Sequence, residues 1–166
     1  MRLVVKLLLV VLVFATSCTH TIYVVRHAEK VASNDPDPSL TELGSIRADA
    51  LRDSLSSKKI QIIYSTNTNR TRSTAIPTAL FFKDSIRIYG PRPDSLFYNS
   101  LLQNKKNTLV IGHSNTIDDI VNGVMGKKVV PGDFKDWEYD NLFIIRVRGK
   151  KKTFVAKKYG PRIINN

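Results

Sequence analysis

Ile22-Tyr23-Val24-Val25-Arg26-His27 is a short β-branched run that ends on an arginine and a histidine. A run of this kind reads as a buried strand. The arrangement recurs. Residues 60–64 form a second apolar run, followed across a polar loop by Arg70. Residues 108–111 form another, closed by Gly112 and followed by His113. In a parallel sheet, all three would release their polar side chains at the carboxyl ends of strands, the edge where ligands of α/β domains bind.

The intervening segments alternate with these strands at helical spacing. Thr41 is expected to cap a helix with an apolar face of Leu43, Ile46, Ala50, Leu51 and Leu55; Ser39 and Glu42 make a rival capping box. A helix over residues 70–82 carries Pro77 inside it, where a kink or split is expected. Residues 86–89 read as a weaker strand, and Asp94 opens a helix carrying Leu96, Phe97, Leu101 and Leu102. Ile117, Ile120, Val121 and Val124 form a further helical face before Gly126. Residues 142–147 and 153–156 flank Gly149-Lys150-Lys151-Lys152 as an antiparallel hairpin. Alternation of strand and helix specifies an α/β sheet domain.

The chain has 166 residues, 42% of them apolar, enough for one packed core. The first residues stand apart from it. Arg2 and Lys6 precede an apolar run over residues 7–14, then Ala15-Thr16-Ser17-Cys18. A positive start, a short apolar middle and small residues describe a secretory signal, and the run is shorter than the roughly 20 residues of a spanning helix. Ala-Thr-Ser-Cys resembles a bacterial lipobox. The expected organisation is a lipoprotein signal peptide at 1–17, a lipidated tether at 18–21 with Cys18 as the modified residue, and one folded domain at 22–166. His20 is then a solvated tether residue. This reading places the protein in the bacterial cell envelope, lipid-anchored to a membrane and facing the periplasm. With Cys18, the only cysteine, modified, no disulfide can form.

The formal net charge is +12. A basic chain can bind nucleic acid, but an exported one rarely meets it and no nucleic-acid motif is present. The cations gather at the end: Arg146, Arg148, Lys150, Lys151, Lys152, Lys157 and Lys158. They read either as lysines guarding exposed strand edges or as attraction to anionic lipid head groups.

Arginine offers a rigid fork of donors that matches phosphate oxygens, so Arg26 and Arg70 suit a phosphate clamp. A neutral imidazole can attack phosphorus and carry the phosphoryl group covalently, without a metal or other cofactor. The three histidines, one of them in the expected tether, have no zinc-site spacing.

The segments Tyr23-Val24-Val25-Arg26-His27-Ala28-Glu29-Lys30, Leu40-Thr41-Glu42-Leu43-Gly44, the stretch from Ile63 to Ala75, and Leu109-Val110-Ile111-Gly112-His113 resemble, in order, the signature segments of the histidine phosphatase superfamily. That resemblance implies a three-layer α/β/α sandwich with a mostly parallel central sheet. It implies His27 as the phosphoryl acceptor, with Arg26, Arg70 and His113 holding the phosphate. It leaves the proton donor open. Asp94, after the third strand, is the first candidate, with a helix cap as its alternative role; Glu29, Glu138 and Asp140 are others. The expected activity is metal-independent hydrolysis of phosphomonoesters or phosphohistidine on a phosphorylated small molecule or phosphoprotein. The alternative is a non-catalytic module that binds phosphorylated ligands in the cell envelope.

Overall fold

A computed structural model describes residues 19–132 and 134–162. The leader at 1–17 and Cys18 therefore lie outside the described residues. The chain runs β1 (Thr19–Arg26), α1 (Glu42–Leu55), β2 (Ile62–Ser65), α2 (Asn69–Phe82), β3 (Ile86–Ile88), α3 (Ser95–Gln103), β4 (Thr108–Gly112), α4 (Ile117–Met125), β5 (Asn141–Arg148) and β6 (Lys151–Lys158). One six-stranded sheet has the order β3-β2-β4-β1-β5-β6. Its first four strands are parallel, while β5 and β6 are antiparallel additions that form the C-terminal hairpin.

Side-chain alternation along β1 builds both layers. Tyr23 and Val25 face a cluster with Leu51 and Leu55 of α1, Ala75 and Ala79 of α2, and Leu109 and Ile111 of β4. Ile22 and Val24 face the opposite cluster, with Leu101 of α3 and Ile117, Ile120, Val121 and Val124 of α4. The expected three-layer α/β/α architecture results, each face covered by two helices. The adjacent strands β1 and β4 are followed by helices on opposite faces, α1 and α4. A sheet opens a crevice at such a switch point, beyond the carboxyl ends of its strands.

Several boundaries differ from the sequence reading. β1 starts at Thr19, and Thr19, His20 and Thr21 pair with Arg148, Val147 and Arg146 of β5, so the expected tether residues are strand. His20 is not solvated; it is only 3% exposed, on the same face as Ile22 and Val24. Burial lowers its pKa, with the Leu101 backbone opposing and Lys105 adding to the effect. α2 continues through Pro77 without a break. The face of α1 is also rotated: Leu43 and Ile46 are about half exposed, and Gly44, Arg47 and Ala48 are buried instead.

Arg47 explains that rotation. Its side chain is fully buried, and Nε and Nη2 grip the Glu29 carboxylate at 2.7–2.9 Å. Nη1 and Nη2 also donate to the carbonyls of Tyr159 and Pro161, at 3.0 and 3.1 Å. One guanidinium thus joins α1, the segment after β1 and the chain beyond β6. Gly44 belongs to the same junction. Thr41 caps α1 by accepting from Gly44 N–H at 3.0 Å, and a Cβ on Gly44 would collide with the Glu29 carbonyl oxygen.

Removing one partner of a buried, hydrogen-bonded ion pair leaves the other uncompensated, at a cost of about 3–5 kcal/mol. Arg47→Ala is expected to lower the unfolding free energy by that amount in a urea titration. Arg52→Ala, on the exposed side of α1, should change it far less, because its ion pairs are solvent-screened. A loss for Arg47→Ala no larger than for Arg52→Ala would contradict the junction.

Candidate active site

The strands β1 and β4 end level with each other. Arg26 is in register with Gly112, and His27 N–H donates to the Gly112 carbonyl at 2.9 Å. The next side chains, His27 and His113, therefore leave adjacent strand ends, with ring centroids 5.5 Å apart and planes at 65°. Together with Arg26 and Arg70 they line a cleft of about 670 Å³. The structure brings these four sequence-predicted residues to one place.

His27 is 3% exposed, and its Nδ1 lies 2.8 Å from the Ala28 carbonyl. A carbonyl can only accept, so this contact requires the proton on Nδ1 and leaves the lone pair on Nε2. Burial, chiefly, lowers the His27 pKa to about 3; the Ala28 carbonyl opposes this, while Arg26, His113 and Arg70 add to it. His113 falls to about 4, again mainly through burial, helped by Arg70 and Arg26 and opposed by Asp37. Both imidazoles are neutral at pH 7.

The cations are held from several directions. Arg26 Nη1 donates to the Lys135 carbonyl at 2.9 Å, and its guanidinium carbon sits 4.2 Å from the centre of the Tyr139 ring. Its Nε is buried without a hydrogen-bond partner among the described residues. Arg70 pairs with Asp37 at 3.3 Å. Thr74 ties the first turn of α2 to the segment leaving β1: its hydroxyl donates to the Arg70 carbonyl at 2.7 Å and accepts from Ala28 N–H at 2.9 Å. Thr66 Oγ1 lies 2.9 Å from His113 Nε2 and 3.0 Å from the Thr71 hydroxyl. Paired arginines around two neutral imidazoles suit a phosphoryl group, whose charge is spread over its non-bridging oxygens.

Residues 22–89 match the family model of the histidine phosphatase superfamily, branch 1. The matched stretch contains Arg26, His27 and Arg70, while His113 lies beyond it. Solved structures similar to the chain carry the same fold. The protein histidine phosphatase SixA, complexed with tungstate, is 16% identical with a TM-score of 0.65, covering 83% of this chain and 96% of its own. A mycobacterial glucosyl-3-phosphoglycerate phosphatase is 9% identical with a TM-score of 0.66, covering 87% and 100%. A phosphoserine phosphatase of Entamoeba histolytica, in complex with 3-phosphoglyceric acid, is 12% identical with a TM-score of 0.62, covering 86% and 98%. No curated protein matches the chain in sequence.

The acids expected from the sequence are occupied elsewhere. Asp94 caps α3, accepting from Leu96 and Phe97 N–H at 3.1 Å each, and does not line the cleft. Glu29 is bound by Arg47, Glu138 accepts from Lys135 N–H at 2.7 Å, and Asp140 pairs with Lys158 at 2.7 Å. The carboxylates that do line the cleft are Asp119, in the first turn of α4, and Asp136, whose own carbonyl lies 3.4 Å from Arg26 Nη1. Lys30 and Arg92 add two further cations. Sequence reading missed Asp119 and Asp136, as well as Thr66, Thr74 and Tyr139. Only Asp119 left a usable signal: it follows His113 by six residues, within reach of one helical turn past the strand end.

The capping geometry separates the two roles weighed for Asp94. Asp94→Ala should destabilise the protein by about 1 kcal/mol, as lost N-caps do. It should leave kcat for an aryl phosphate within about twofold of the parent, since even one lost proton-transfer catalyst costs 10²-fold or more. A hundredfold fall in kcat with the thermal midpoint unchanged would return Asp94 to the chemistry.

Proposed function

We propose that the protein is a metal-independent phosphatase acting through a phosphohistidine on His27. The observation that carries this reading is the Nδ1 contact to the Ala28 carbonyl, which leaves Nε2 as a neutral nucleophile beside Arg26, Arg70 and His113. Nε2 attacks phosphorus, and the P–O or P–N bond breaks toward the leaving atom. One of the two cleft carboxyls, Asp119 or Asp136, supplies the proton that atom takes up. The phosphorylated ring gains positive charge, which the Nδ1–H bond to Ala28 supports. Water then attacks phosphorus and gives a proton to that carboxylate, the N–P bond breaks back to Nε2, and inorganic phosphate leaves.

Phosphomonoesters and phosphohistidine are the substrate classes in view, in keeping with the names of the similar structures. Lys30 and Arg92 at the cleft favour substrates that carry anionic charge beyond the transferred phosphate. The order of positive start, apolar run and Ala15-Thr16-Ser17-Cys18 supports removal of residues 1–17, lipidation of Cys18 and a place in the bacterial cell envelope, facing the periplasm.

The test is turnover of para-nitrophenyl phosphate in excess EDTA. Activity should persist in the chelator and vanish in His27→Ala. Because protonation removes the nucleophile and the histidine pKa values lie at about 3 and 4, the acid limb of kcat/KM should fall near pH 4 and not near 6.5, once the substrate's own ionisation is allowed for. Tight phosphate binding with no turnover of any phosphoester or phosphohistidine would instead indicate a binding module.

A further inference from the structure

The hairpin carries a charge imbalance that the phosphatase chemistry does not use. From residue 141 to the end, the chain contains no aspartate or glutamate. Lys152 and Lys158 are tied down, the first donating to the Val124 carbonyl at 2.6 Å and the second paired with Asp140. Arg146, Arg148, Lys150, Lys151 and Lys157 are all exposed, and none joins an ion pair among the described residues.

Strand register sorts these cations. Arg148 pairs with Lys151, Arg146 with Thr153 and Leu142 with Lys157, so four of them lie on one face of the hairpin, with Lys150 at its turn. That face continues across Thr19 and Thr21 of β1. Its tip half, from Arg146 to Thr153, is uncovered, and Thr153 and Val155 between the cations are exposed as well, whereas Leu142 at its other end packs with Leu51 and Leu55 of α1. Edge protection accounts for lysines on β6, the outermost strand. It does not account for Arg146 and Arg148, which stand on β5, an interior strand, and point out from the sheet face.

The patch also has a defined place relative to the chain's entry. Thr19, the residue after Cys18, is paired with Arg148. The apolar leader thus joins the domain beside the hairpin tip, at the amino end of β1. Arg26 and the cleft lie seven residues further along that strand, about 23 Å away at 3.3 Å per residue.

We infer that the outer face of the β5–β6 hairpin docks on an anionic lipid surface, holding the amino end of the sheet against the bilayer with the phosphate cleft facing away. The cations at the chain's point of entry and the charge of anionic head groups are complementary, and such contacts act within about a Debye length of the surface. In this orientation the enzyme reaches substrates in the solution above the membrane, not head groups of the bilayer that holds it. The inference is independent of the catalytic step.

The full chain is reconstituted into vesicles of phosphatidylcholine alone or of phosphatidylcholine with phosphatidylglycerol, and lysines are acetylated with a water-soluble reagent and read by mass spectrometry. Lys150 and Lys151 should react about fivefold more slowly on the anionic vesicles, the scale set by one basic residue near such a surface. Lys30, exposed at the cleft end, should react equally on both. About 0.5 M salt should remove the difference. The double variant Arg148→Glu, Lys151→Glu, its fold checked by circular dichroism and thermal midpoint, should show no slowing at Lys150. Equal rates on the two vesicle types, slowing that survives in the double variant, or protection by a soluble polyanion but not by vesicles would overturn the inference.

Discussion

The site depends on one backbone hydrogen bond, from His27 N–H to the Gly112 carbonyl at 2.9 Å. It closes the parallel ladder between β1 and β4 at their shared carboxyl end, and it fixes His27 and His113, 86 positions apart in the chain, as neighbours. Because α1 and α4 then depart to opposite faces, a crevice opens at the strand ends where the two imidazoles stand. The remaining polar contacts work on this junction. Thr74 attaches the helix bearing Arg70 to Ala28, Thr66 holds His113, and Arg47 clamps the Glu29 segment that leaves the strand.

Burial and charge act in the same direction on the histidines. Taking an imidazole out of water disfavours its protonated form, and the nearby arginines add repulsion. The result is a pair of neutral rings within a cationic cleft. On the proposed mechanism, the ring gains its positive charge only as it takes up the phosphoryl anion, so the cleft's charge suits that state better than a free imidazolium. Arg26 fits this division. Its guanidinium is held by Lys135 and the Tyr139 ring on one side, while Nε has no hydrogen-bond partner among the described residues.

Much of this was readable in the chain because it is encoded locally. A β-branched run ending in Arg26-His27 carries both its strand and its chemistry within six residues, and residues 108–113 do the same. Thr41 and Gly44 are a local cap. What failed to show depends on contacts distant in sequence. Arg47 interrupts the apolar periodicity of α1 because its partner Glu29 lies eighteen residues earlier, so the apolar face was placed on Leu43 and Ile46 instead. Asp94 looks the same in sequence whether it caps a helix or protonates a leaving group; only the path of the loop before α3 decides. Tyr139 and Asp136 reach the cleft from the segment before β5, which no motif marks. His20 is buried because β5 pairs back along the start of β1, a long-range pairing that four residues of apparent tether do not announce.

The central claim is that Nε2 of His27 carries the phosphoryl group. The most direct measurement is to quench the enzyme with a rapidly turned-over aryl phosphate into alkali, where phosphohistidine survives, and to locate the modification by peptide mass spectrometry and phosphorus NMR. The account predicts one phosphoryl group per chain, on the peptide containing His27 and attached at Nε2. Attachment at Nδ1, a phosphoryl group on His113, or steady turnover with no phosphorylated histidine would contradict it.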